Sequence, residues 1–178
     1  MLIHLYLISL LFYGALSQED NNYFLNRRGN QLLMNEKPFR SVGVNKHELL
    51  DFYVADLMGG NLDSSLSEAR NSLDMLQDLG VDTIRVRASQ FWPAQIEKTY
   101  LAEENRKIFW QRFDIMLEDC SERSIRIIPT IAWHIGAWVD LAHESLEDFV
   151  RNPYSLSRKM LNDWIRDLVS RYKDSSII

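Results

Sequence analysis

The sequence predicts an α/β chain, the N-terminal part of a (β/α)8 TIM barrel from its first strand to the start of its fourth, preceded by a β-hairpin. Three observations predict it. Short apolar runs alternate with segments of helical periodicity, the pattern of βαβ units and a parallel sheet. Successive strands lie roughly forty residues apart, which suits a barrel with long loops. The first strand is followed by Asn45-Lys46-His47-Glu48, and no G-x-G-x-x-G or Walker loop occurs anywhere, which disfavours a doubly wound nucleotide-binding sheet.

The elements follow in order. Met1 to Ser17 reads as a signal peptide: Leu5 to Ala15 is apolar and uncharged, and Ala15-Leu16-Ser17 offers the small residues of a cleavage site before Gln18. A buried first helix or an uncleaved anchor is the competing reading, but the run is shorter than the ~20 residues a span needs. Residues 18–22 form a polar leader, and residues 23–178 form the incomplete barrel domain. Tyr23-Phe24-Leu25 and Leu32-Leu33-Met34, split by Arg28-Gly29-Asn30, read as a hairpin, with the next turn at Asn35-Glu36-Lys37-Pro38. Phe39 to Val44 reads as the first barrel strand, ending at Asn45.

Ser65 and Glu68 form a capping-box pattern for a helix whose stripe is Leu66, Ala69, Leu73, Leu76 and Leu79. Gly80 stands where a left-handed residue ends it. The second strand is Val81 to Val86. Phe109, Phe113, Met116, Leu117 and Cys120 mark the inner face of the next helix. Ile125 to Ile131 is the third strand, with a bend expected at Pro129. Ser145 to Asp148 caps a short helix. Met160, Leu161, Trp164, Leu168 and Tyr172 define a long one, and Ile177-Ile178 reads as the opening of a fourth strand.

Composition bounds the function. The 178 residues are 46% hydrophobic and 25% charged, with a net charge of -5 and a pI near 5.4. This is globular composition without a basic nucleic-acid footprint. Cys120 is the only cysteine, so no internal disulfide forms, and its place on an apolar stripe predicts a buried thiol.

In a barrel, chemistry sits at the C-terminal ends of the strands. That rule selects Asn45, Lys46, His47 and Glu48 after the first strand, and Arg85 and Arg87 on the second, with Phe91-Trp92 beyond. It also selects Trp133 and His134 after the third, followed by Trp138 and Asp140. Arg85, between Ile84 and Val86, is expected to meet a carboxylate or a dense set of acceptors. It is either a structural ion pair or the holder of a catalytic carboxylate. Trp92, Trp133 and Trp138 are candidate platforms for sugar rings, with core packing the alternative, the strand-end position favouring ligand contact for Trp133, whereas Trp110 and Trp164 lie on helices and read as core. His134 is either a hydrogen-bond donor or proton shuttle, or a satisfied, partly buried histidine. The carboxylates Glu48, Asp51, Glu97 and Asp140 read as solvated loop charges. His143-Glu144 is not followed by the second His of H-E-x-x-H, and no G-x-S-x-G elbow is present. Neither a metal nor a cofactor is expected.

Phe39 to Asn45, together with Leu79-Gly80-Val81-Asp82-Thr83-Ile84-Arg85-Val86, resembles the opening of glycoside hydrolase family 5 and its clan A relatives, closest to the endo-β-mannanase and cellulase-like branch. Asn35 to Pro38 resembles the lead-in to their first strand. Val169 to Ile178 is similar to the run before their fourth. Lys46-His47 and Trp133-His134 depart from the commonest family patterns. The resemblance implies retaining hydrolysis of β-linked polysaccharide, mannan- or cellulose-type, by two glutamates ~5 Å apart. In the family these end the fourth and seventh strands, so both are expected beyond Ile178, and the chain alone should be inactive. By resemblance, Arg85 matches an Arg that supports the nucleophile. Trp133, His134 and Asn45 fall at strand tips bordering the cleft, with Trp92 nearby. The expected partner is a polysaccharide or oligosaccharide. No nucleic acid and no stable membrane span after signal cleavage are expected, and the protein would be secreted or periplasmic. The alternative is a non-catalytic carbohydrate-binding or structural α/β module.

Overall fold

The computed structural model describes residues 24–178, so the expected signal peptide and polar leader lie outside the described residues, as does Tyr23. Contacts divide the chain after Arg40 into two compact units.

The first unit is a three-stranded antiparallel sheet of β1 (Asn26–Arg28), β2 (Gln31–Met34) and β3 (Lys37–Pro38). The expected hairpin therefore gains a third strand. Its first turn places Gly29 at φ 62, a left-handed conformation that a residue without Cβ adopts at no steric cost. Its second uses Asn35 and Glu36, both at positive φ, as a tight two-residue hairpin turn requires. Lys37 and Pro38 are thus strand rather than turn, and Phe39 still donates to the Leu32 carbonyl at 2.8 Å.

The second unit is built on three parallel strands in sequential order: β4 (Gly43–Asn45), β5 (Thr83–Arg87) and β6 (Arg126–Thr130). The first barrel strand is shorter than expected: Phe39 bonds to the preceding antiparallel ladder, and residues 40–42 link the two sheets without strand pairing. Asn45, Arg85 and Ile128 lie side by side in register. Pro129 breaks no bond to β5. The amide of Ile127 points to the opposite edge, where it donates to the Ile177 carbonyl at 2.7 Å, and Pro129 shares that parity. Ile177-Ile178 carries no strand assignment, so that single bond is what links it to β6.

Helices connect the strands. After β4 come α1 (Leu49–Tyr53), a 3-10 turn (Asp56–Met58) and α2 (Leu62–Asp78). After β5 come α3 (Pro93–Ile96), a π-type turn (Glu97–Leu101) and α4 (Glu103–Glu122). After β6 come α5 (Ile135–Leu141), α6 (Leu146–Arg151) and α7 (Leu156–Tyr172).

Helix α2 begins one turn before the expected capping box. Asn61 is the N-cap, its side chain accepting from the Ser64 amide at 2.9 Å, and Ser65 lies inside the helix. We expect Asn61→Ala to lower stability by about 1 kcal/mol and Ser65→Ala to leave it unchanged. Urea unfolding checks this, and equal losses would restore Ser65 as the cap. Leu79 lies beyond the last turn and is exposed, which corrects its place in the apolar stripe. Gly80, at φ 74, closes the helix, with the Val81 amide reaching back to the Leu76 carbonyl at 3.0 Å. The same closure recurs after α4. There Ser124 takes the left-handed position at φ 57, and the Ile125 amide reaches the Cys120 carbonyl at 2.9 Å.

The helices bury one face of the sheet. Ile84, Val86 and Ile127 point into a core with Leu73, Phe109, Phe113, Met116, Cys120, Trp164 and Leu168. Trp110 and Trp164 stack with ring centroids 5.6 Å apart, and the Trp164 indole N–H donates to the Ile131 carbonyl at 2.8 Å. The expectation of core roles for both holds. Strand residues of opposite parity, namely Asn45, Arg85 and Ile128, line the other face and are exposed. Among the described residues no helix is long and apolar enough to cross a membrane.

Candidate functional site

Side-chain alternation along β5 decides the site. Ile84 and Val86 face the helices, so Arg85 and Arg87 share the open face. Their surroundings differ. Arg85, expected to need a carboxylate, is exposed and forms no ion pair among the described residues. Its Nε donates to the Thr130 hydroxyl at 2.9 Å, and its guanidinium lies 5.4 Å from the Trp133 ring centre. That position is wet, so desolvation does not demand an anion.

Arg87, at the strand tip, is the enclosed cation. Its Nη2 pairs with Asp51 at 2.5 Å, its Nε donates to the His47 carbonyl at 3.1 Å, and its guanidinium lies 5.9 Å from the Phe91 ring centre. Asp51 is therefore not a solvated loop charge but an α1 residue turned to the strand ends. Burial pushes the Asp51 carboxyl above the ordinary range, and Arg87 pulls it partly back. Glu48 is paired with Lys46 at 2.6 Å. Its carboxyl lies below the ordinary range: partial burial, the largest influence, pushes it up, but Lys46 and a backbone hydrogen bond outweigh that.

Aromatic rings extend the same surface. The Trp133 ring lies 4.2 Å from the His47 ring, tilted by 50°, with Trp133 39% exposed. Phe91 stacks on His134 at 4.8 Å, and the Phe91 carbonyl lies 3.2 Å from His134 Nδ1. Trp92 meets Phe91 edge-on at 4.7 Å and remains 58% exposed, so it offers more free ring than Trp133. Two clusters result. Arg85, Thr130, Trp133 and His47 form one, and Arg87, Asp51, Phe91, His134 and Trp92 form the other. The His47 carbonyl, held by Arg87, joins them.

Trp138 does not take part. It is 1% exposed on the inner side of α5 and faces Trp164 at 6.4 Å. The segment after Trp133 is helical, and that rotates Trp138 into the core. Asp140, on the same helix, is exposed. Asn45 is an exposed strand-end residue beside Arg85 in register. The strand-end rule selects His47 and Phe91 by position but not their partners, whereas Thr130 was passed over and Asp51 was read as a solvated charge. Parity alone points Thr130 to the same face as Arg85 and Arg87, and no spacing signal marks Asp51.

The surface can hydrogen-bond hydroxyl groups through Asn45, Arg85 and His134 and cover apolar ring faces with Trp92 and Trp133. Among the described residues no group of His, Cys, Asp and Glu is arranged to hold a metal. Glu144 holds the start of α7 instead. The Glu144 carboxylate accepts from the Ser157 hydroxyl at 2.6 Å and from the Leu156 and Ser157 amides, and these hold it below its usual range.

No protein-family model and no curated protein matches this sequence. Solved structures do match. A glycoside hydrolase family 5 mannosidase from Rhizomucor miehei superposes with a TM-score of 0.59 at 13% identity, over 83% of this chain and 42% of that one. A mutant of it in complex with mannosyl-fructose gives 0.54 at 14% identity, over 88% and 39%. A second mutant gives 0.59 at 13% identity, over 82% and 41%. The chain thus spans about two-fifths of the length of the structures it matches. At such identity the likeness concerns architecture, and the architecture of this chain is a glycoside hydrolase family 5-like α/β fold.

Proposed function

We propose that the strand-end face is part of the saccharide-binding cleft of a retaining glycoside hydrolase acting on β-linked polysaccharide of mannan or cellulose type. The observation that carries this reading is that Asn45 and Arg85 lie side by side on the open face of β4 and β5, with Trp92, Trp133 and His134 in the loops that leave the C-terminal ends of β5 and β6, the end at which barrel enzymes hold their ligands. The likeness in fold to mannosidase structures supports it. In this reading Trp92 and Trp133 cover sugar rings, and Arg85, His134 and Asn45 bond hydroxyls. The described residues bind without completing the reaction. Retaining hydrolysis uses two carboxyl groups ~5 Å apart, and the carboxylates of this face, Glu48 and Asp51, are each committed to a cation. The apolar run at residues 5–15 supports export to the periplasm or the medium.

Calorimetric titration of β-1,4-mannohexaose and cellohexaose into the 178-residue protein tests the reading. One of the two should bind saturably, and Trp133→Ala and Trp92→Ala should each weaken it about tenfold, the scale of one lost contact of ~1.4 kcal/mol. Absence of binding, or variants that bind like the parent, would overturn it. No reducing ends should appear from mannan or cellulose. Sustained release would refute the division between binding and chemistry.

A further inference from the structure

A second feature lies outside the strand-end face. The loop between α6 and α7 and the outer side of α7 enclose a depression of about 290 Å3 lined by Pro153, Tyr154, Ser155, Lys159, Asn162, Asp163 and Arg166. Lys159, Asn162, Asp163 and Arg166 recur at helical spacing, so they share one side of α7. Tyr154 is 92% exposed. An aromatic ring held in water contributes nothing to the core, yet its backbone is fixed, with its amide donating to the Asn152 side chain at 2.9 Å.

The polar lining is paired at the surface of the helix. Asp163 joins Lys159 at 2.7 Å and Arg166 at 2.8 Å, so carboxylate and cations orient one another beside the Asn162 amide. An inorganic anion fits poorly. One of the two cations is offset by Asp163, and the amide donors of the helix end are already taken by Glu144 and Ser155. An uncovered ring beside hydrogen-bond donors and acceptors is instead the complement of a pyranose, which has apolar C–H faces and hydroxyls at its edge. The position agrees. Trp164 bonds the carbonyl of Ile131, just past the end of β6, and the chain returns to the start of β6 at Ile177. The first turns of α7 therefore lie toward the same end of the unit as the strand-end face.

We infer that this depression is a second saccharide site, an outlying hold for a neutral sugar unit of a polysaccharide, with Tyr154 as its platform. The inference rests on the reading that the ligand is a saccharide, but not on the strand-end residues. The test is adsorption of the full 178-residue protein to insoluble β-1,4-mannan and to cellulose, measured by depletion. Tyr154→Ala should weaken adsorption about fivefold on the glycan that binds, Asn162→Ala should weaken it also, and Tyr154→Phe should retain it. Because Tyr154 is exposed, these variants keep the fold, and unchanged urea midpoints verify that. If Trp133→Ala reduces adsorption and Tyr154→Ala does not, the outlying site is refuted while the strand-end reading stands. If only Tyr154→Ala reduces it, the outlying site is supported and the strand-end platform fails. If neither variant differs from the parent, or the parent does not adsorb, both fall. Displacement by inorganic phosphate at constant ionic strength would also refute the inference, since the depression would then be an anion site.

Discussion

Asp119→Ala is expected to lower stability by about 3 kcal/mol, a large share of the 5–15 kcal/mol that holds a typical domain. Asp119 is a buried carboxylate on α4. The fully buried Tyr53 hydroxyl of α1 donates to it at 2.7 Å, and Arg70 Nε of α2 donates at 2.9 Å. Arg123 bonds the Asp119 carbonyl at 2.8 Å and Asp74 of α2 at 2.6 Å. One carboxylate thus ties three helices together on the covered side of the sheet. Removing it strands the Tyr53 hydroxyl without an acceptor, and a buried unpaired donor costs ~1–3 kcal/mol. The Arg70 pair adds less, because that guanidinium is about half exposed and screened by water. Asp119→Asn keeps an acceptor and should cost about 1 kcal/mol, as should Tyr53→Phe. Urea unfolding of the three variants orders these effects. An Asp119→Ala protein within about 1 kcal/mol of the parent would show that the cluster is not a staple.

This staple was invisible to pattern reading, and the reason is general. Periodicity reports which residues share a face, and it placed Ala69, Leu73, Leu76, Phe113, Cys120, Trp164 and Leu168 in the core, where they lie. It does not report what a polar residue on that face meets. Asp119 sits beside Cys120 on a helix whose apolar residues attract attention first, and its partners are 49 and 66 positions away. Glu144 is similar, since its partners Leu156 and Ser157 come from the next helix but one.

The candidate site shows the same division. Strand ends and their residues were legible because βαβ alternation and Gly80 set the register of β5. The distribution of partners between Arg85 and Arg87 was not. Both face one side of the strand, and only the position of α1, carrying Asp51, makes the tip enclosed and the middle open. Trp138 stood open between cleft and core because its segment read as loop, while Ala137-Trp138 followed by Leu141 carries the helical spacing that turns it inward. The cap at Asn61 was hidden by a Ser65-x-x-Glu68 match inside the helix, a pattern with no power to mark its own position once the helix extends past it.

Stability should also fall steeply as the solution becomes alkaline, beginning near pH 9. Among the described residues, one thiol and three phenols, all buried or half-buried, shift upward together. Burial pushes the Cys120 thiol up to about 12, with the neighbouring Asp119 adding to it. Burial raises Tyr53 as well, reinforced by its bond to Asp119. Tyr100 and Tyr172 rise by burial and by their bonds to Asp167 and Asp114. Each group is neutral when protonated and has a folded-state pKa above its unfolded one. Its contribution is therefore complete below the unfolded value and is lost as pH climbs through the folded value. For Cys120 the window runs from about 9 to about 12. Two pH units into it, near pH 11, the thiol alone accounts for about 3 kcal/mol at ~1.4 kcal/mol per unit. Cys120→Ala separates this from general alkaline damage. It should cost about 1 kcal/mol at pH 8, where a small cavity is the only effect, and then lose stability more slowly than the parent, so that the two curves converge and cross. Tyr53→Phe should flatten the curve only above about pH 10, once a free phenol would ionise. Urea midpoints at four pH values between 8 and 11 decide the matter. Parallel curves for Cys120→Ala and the parent would mean that the thiol ionises as easily in the folded chain as in the unfolded one.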